Sequence, residues 1–77
     1  MAETSRRGGA LRKRSLVLSG HATSLALEAE FWDVLEAFAQ ARGLRLADLI
    51  AQIDSGRADR PLASACRVAA LEFVALR

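Results

Sequence analysis

The chain is poor in the residues that usually hold small domains together. It has one Cys, one His, one Pro, one Trp and three Phe among 77 residues. One Cys excludes an internal disulfide, and one His with one Cys cannot make a structural zinc site of four protein ligands. No nucleophile and base pair, Gly-rich phosphate loop or metal cluster is visible, which sets an enzyme aside and implies no cofactor. No apolar run approaches the roughly 20 residues of a membrane span. "SLVLSGHATSLAL" is too broken by polar residues for a signal-peptide core, and a weak likeness of the Arg- and Ser-containing start to a transit peptide is outweighed by the structure legible in residues 15 to 27. The expectation is a cytoplasmic protein without membrane association.

What is present is apolar: hydrophobic residues make up 52%, too much for a disordered chain. Below roughly 80 residues a single core supplies only about 3–5 kcal/mol, so a partner chain is the remaining source of stability. Charge is uneven. Arg6, Arg7, Arg12, Lys13 and Arg14 against Glu3 give residues 1 to 21 a net charge of +4, while the rest of the chain nets −2. A basic start before an acidic body suggests a polyanion partner, nucleic acid or membrane surface, or simply a solvated tail. Residues 1 to 12, with Gly8-Gly9, read as a flexible basic arm, and residues 13 to 77 as one domain.

"RSLVLS" alternates and could form a short strand over 15–18, with Gly20-His21 as a turn. In "ATSLALE", Thr23, Leu25 and Leu27 point one way and Ala22, Ser24 and Ala26 the other, giving a strand over 22–27. From Glu28 the period becomes helical. Phe31, Leu35 and Phe38 form a stripe widened by Trp32, Val34 and Ala39, opposite an acidic face of Glu30, Asp33 and Glu36. Gly43 is a left-handed stop, so the first helix spans about 29–42. Leu46, Leu49, Ile50 and Ile53 share one face of a second helix over 46–54. Pro61 opens a third over 62–76, with stripe Leu62, Cys66, Ala69, Phe73 and Leu76. Val68 and Leu71 lie off that stripe, which predicts burial on more than one side.

A strand with one apolar face that runs straight into two amphipathic helices leaves unpaired strand edges, and a second copy can supply the missing neighbour. Here the chain resembles the ribbon-helix-helix family, the architecture of the Arc and MetJ repressors: "TSLALE" as ribbon strand, "AEFWDVLEAFAQARG" and "LRLADLIAQI" as helices. It is more similar still to a bacterial subset of small, uncharacterised proteins with a third helix. The shared residues are Lys13-Arg14-Ser15, Gly20-His21, Thr23-Ser24, Leu27-Glu28, Phe31-Trp32, Leu35, Ala41 to Leu44, Leu49-Ile50, Ile53-Asp54, Arg67 and Leu71-Glu72.

The resemblance implies a mainly α fold with a short β-ribbon, an obligate homodimer with intermolecular antiparallel strands, and a regulator of transcription that binds double-stranded DNA. Its dimer core would be Leu25, Leu27, Phe31, Trp32, Leu35, Phe38, Leu46, Leu49, Ile50 and Ile53. Base-facing positions would be Ala22, Ser24 and Ala26, poor hydrogen-bond readers compared with Arg, Lys, Gln or Asn. A one-residue shift would instead expose Leu25 and Leu27. Phosphate contacts would come from Arg12, Lys13 and Arg14, and from Leu44, Arg45 and Leu46 at the start of the second helix. If residues 15–18 pair with 22–27, the dimer carries a four-stranded sheet that is wide for the groove. The alternative is a dimeric protein-interaction module or antitoxin-like protein whose third helix or acidic face holds another protein.

For the remaining side chains the plain readings weigh most: His21 as a tolerated turn residue, Cys66 as a small core residue, Phe31 and Trp32 as core and not base-stacking platforms, and the acidic row as a solvated face. Arg57 and Arg60 could touch a neighbour or DNA.

Overall fold

In the computed structural model, residues 10–76 are described. Two strands, β1 (Leu11–Leu18) and β2 (His21–Glu28), precede three helices, α1 (Ala29–Arg42), α2 (Leu46–Ser55) and α3 (Leu62–Ala75). β1 pairs antiparallel with β2 without a break, from Leu11 opposite Glu28 to Leu18 opposite His21. Residues 1–9 of the expected arm, including Arg6 and Arg7, lie outside the described residues. Leu11 and Arg12 are strand rather than arm, so the first strand is longer than the 15–18 segment that alternation marks out.

The hairpin turns on Ser19 and Gly20, with φ of 53° and 84°. Positive φ at both central residues makes it a type I′ turn, whose twist matches that of the strands. His21 is therefore the first residue of β2, not half of the turn predicted at Gly20-His21. Space would admit a side chain at Gly20, but its φ would strain any L-residue.

β2 enters α1 directly. Glu28 is the helix N-cap with extended φ −61° and ψ 149°. At the other end Gly43 is left-handed, its N–H donating to the Gln40 carbonyl at 3.1 Å while the Leu44 N–H donates to that of Ala39 at 2.9 Å. This double cap ends α1 sharply and starts α2 three residues later.

Leu25 and Leu27 of β2 meet Trp32, Leu35 and Ala39 of α1, Leu49 and Ile50 of α2, and Cys66 and Ala70 of α3 in a single core. A single chain thus buries six of the residues predicted for a dimer core: Leu25, Leu27, Trp32, Leu35, Leu49 and Ile50. Phe31, Phe38, Leu46 and Ile53 are half-buried around it. Phe38 stacks on Phe73 of α3 with ring centroids 4.6 Å apart. Of the stripe predicted for the third helix, Cys66 is buried and Leu62, Ala69 and Phe73 are half-buried, but Leu76 is exposed. Off the stripe Val68 is half-buried, whereas Leu71 is 66% exposed, so the expected burial on more than one side does not extend to the end of the helix.

Trp32 ties the sheet to the helices. Its indole Nε1–H donates to the Arg12 carbonyl at 2.8 Å. Replacing it by Phe keeps most of the apolar volume and takes the indole donor away from that carbonyl. Trp32→Phe is expected to cost about 1–2 kcal/mol in urea unfolding, with β1 amides losing hydrogen-exchange protection before those of α1.

Burial pushes the Cys66 thiol up to about 11 from an ordinary value of 9.0, with Asp54 adding to the shift and Arg67 opposing it. The unfolded thiol ionises first, so stability falls as pH rises from about 9 towards 11. Cys66→Ala is expected to lack this part of the alkaline loss. In the native protein at about pH 8 the thiol is expected to resist a disulfide reagent until denaturant is added.

Candidate nucleic-acid interface

Strand alternation sorts the hairpin into two faces. One face carries Leu16, Leu18, Leu25 and Leu27 towards the helices; the other carries the cross-strand pairs Val17 and Ala22, Ser15 and Ser24, Lys13 and Ala26, and Leu11 and Glu28. On this outward face Ala22 and Ser24 are exposed and Ala26 is half-buried. All three positions predicted to face bases therefore share one surface. Lys13 is its single cation among the described residues.

The same alternation divides the basic cluster. Arg12 and Arg14 fall on the helix side, one residue either side of Lys13. The Arg14 guanidinium lies 4.5 Å from the centre of the Trp32 ring and its Nη1 donates to Glu36 Oε2 at 2.8 Å. It is engaged in holding β1 against α1, through an ion pair with one member of the predicted solvated acidic row and a cation–π contact. Arg12 contributes its carbonyl to Trp32 while its side chain is exposed. The three consecutive cations thus fall on two different faces of the hairpin.

At the start of α2 the three predicted residues also differ in what they can offer. The Leu44 N–H is already used in closing α1. Arg45 is the N-cap of α2, with no side-chain cap bond, so the N–H groups of the first turn, that of Leu46 among them, lack acceptors within the helix. Arg45 Nε donates to Asp48 Oδ2 at 3.1 Å. This bond holds the guanidinium charge more firmly than in free arginine, its pKa being raised by the hydrogen bond first and the attraction of Asp48 second. The Arg45 side chain is nevertheless 84% exposed. It can leave Asp48 for a phosphate at little cost, since an exposed ion pair is weakened by the surrounding water and adds little stability.

Two contacts had little signal in the sequence. Arg67 of α3 reaches Glu28 at the end of β2, 2.9 Å from Nη2 to Oε1, and its guanidinium lies 5.6 Å from the centre of the Phe31 ring. The backbone N–H of Glu28 and then Arg67 hold its carboxyl below the usual carboxylate range. Arg57 donates to Asp54 Oδ1 at 2.6 Å and to the Arg60 carbonyl at 2.8 Å, so it fastens the loop between α2 and α3. His21 is exposed. Among the described residues no three His, Cys, Asp or Glu side chains gather as a metal site, and no helix is long and apolar enough to cross a membrane.

No curated protein matches the chain. The solved structure of an uncharacterized protein from Bordetella pertussis Tohama I is similar, with 36% sequence identity and a TM-score of 0.78. The likeness covers 92% of this chain and 61% of that one. The family model described as "Ribbon-helix-helix domain" matches residues 11–74, from the first residue of β1 almost to the end of α3. With the strand, the turnless junction and the helices in that order, the chain belongs to the ribbon-helix-helix domain family.

Proposed function

We propose that two copies of the chain pair along β2 and that this homodimer binds double-stranded DNA as a transcription regulator. Ribbon-helix-helix domains are generally DNA-binding transcription regulators or antitoxins, and they typically dimerise. The observation that carries the reading is the difference between the two strand edges. β1 covers one edge of β2, and the other meets no strand among the described residues. Proteins guard open edges with charge, proline or bulges. The outer strand β1 carries Arg12, Lys13 and Arg14, whereas "HATSLALE" of β2 has no such guard before Glu28. An unguarded edge of this length is suited to pairing.

Antiparallel pairing of two β2 strands gives the order β1-β2-β2-β1. The outer strands then lie about 14 Å apart, against a major groove about 12 Å wide. The central pair enters deepest, presenting Ala22, Ser24 and Ala26, while the β1 strands lie at the groove's margins with their outward side chains still facing it. Lys13 meets phosphate there. The first-turn N–H groups of α2, with Arg45 turned away from Asp48, clamp a further phosphate. A second reading, an antitoxin-like module, is favoured by one observation: Leu71, Val74 and Leu76 leave apolar surface exposed at the end of α3, where a protein partner could dock.

Light scattering at micromolar concentration is expected to give twice the 8.3 kDa chain mass. Fluorescence anisotropy with mixed-sequence duplexes is expected to show binding that weakens steeply with salt. Lys13→Ala should weaken it similarly for all sequences and lower the salt slope by about one unit per lost contact. A dimer that leaves every duplex free even at low salt would contradict DNA binding and favour the α3 reading.

A further inference from the structure

If the hairpin enters the major groove, as the DNA-binding reading holds, its outward face limits which base feature it can recognise. That face offers Val17, Ser15, Ala22, Ser24 and Ala26, with Lys13 towards one end and, beyond it, Leu11 opposite Glu28, whose carboxylate is held by Arg67. None of these carries the amide or guanidinium fork that reads adenine or guanine with paired hydrogen bonds, and the ammonium of Lys13, which could also meet guanine, is the group placed against phosphate at the groove's margin. What stands out is a methyl-bearing pair: Val17 is 65% exposed and lies directly across from exposed Ala22. The apolar group that the major groove offers to such side chains is the thymine C5-methyl.

We propose that the hairpin recognises thymine through its C5-methyl group, with Val17 and Ala22 forming the contact and Ala26 a smaller second one. The short side chains of Ala22, Ser24 and Ala26 let the backbone approach the base edges closely. Ser15 and Ser24 hydroxyls donate or accept and so tolerate any base. Specificity then comes from thymine positions, repeated in each half of a two-fold site, and not from guanine contacts. Lys13 adds affinity at the groove wall.

The test uses the full chain. Duplexes enriched from a random pool near physiological salt are resynthesised with deoxyuridine for thymidine, which removes the methyl group and leaves every hydrogen-bonding edge in place. Enrichment of thymines is expected, and each contacted thymine replaced should weaken binding about fourfold, the contribution of one buried methyl. Val17→Ser, at an exposed position, should narrow the difference between thymine and uracil duplexes, leaving the smaller part due to Ala22 and Ala26, while keeping the salt slope; unchanged circular dichroism confirms that the variant is folded. Equal binding of thymine and uracil duplexes by the unaltered chain, or enrichment of sites defined by guanine, would overturn the inference while leaving DNA binding intact. Failure to shift any duplex at low salt would overturn both.

Discussion

Leu27 sits at zero exposure between the sheet and three helices, and two residues before it Leu25 is nearly as buried. Because α1 starts immediately after Glu28, these leucines set both the register of β2 and the rotational phase of the helix that follows. Trp32, Leu35 and Ala39 reach the core only in that phase. A slip of one residue would turn Leu25 and Leu27 to solvent and reverse the other face as well. The identity of the outward residues is therefore a consequence of the core, not an independent feature of the surface. Trp32 extends the constraint to β1 by binding the Arg12 carbonyl and by stacking beneath Arg14.

This arrangement engages cations in ion pairs, among them Arg14, Arg45 and Arg57, which the sequence alone offers to DNA. Arg14 joins Glu36, Arg57 joins Asp54, Arg67 joins Glu28, and Arg45 rests on Asp48. These ion pairs link strand to helix, helix to strand, or a loop to its own helix, and each is partly exposed. Their individual stabilisation is small, but their effect on the surface is large: the outward face of the hairpin retains Lys13 and a set of small or apolar side chains. In the proposed complex, the described part of the hairpin then brings few charges to DNA, and discrimination rests on shape and methyl groups.

Much of this is legible in residue spacing. The period change at Glu28, the stop at Gly43 and Pro61 at the start of the last helix mark out α1, α2 and α3 to within a residue or two. β1 is harder to read. Arg12, Lys13 and Arg14 look like a solvated charge run, and the groups that hold them as strand lie far along the chain: Trp32 is 20 residues beyond Arg12, and Glu36 is 22 beyond Arg14. Alternation of Leu16 and Leu18 reveals only the end nearest the turn. Ser19 in the left-handed region places the turn one residue earlier than Gly20-His21 suggests, because Gly20 finishes it rather than starts it. At the candidate interface, alternation groups Ala22, Ser24 and Ala26 on one face, as the strand pairing also has them. The loss of the Leu44 N–H to the cap of α1 is, by contrast, a hydrogen-bonding detail that residue types do not display.

The central claim is that the open edge of β2 is a pairing edge between copies. Its most direct measurement is isotope-filtered NMR on an equimolar mixture of labelled and unlabelled chains, observing contacts between the backbones of residues 21–28 of different molecules. Antiparallel Hα–Hα contacts between two β2 strands, related by a two-fold axis, are the expected result. Intermolecular contacts confined to α3, or none in a sample that sediments as a monomer, would contradict it.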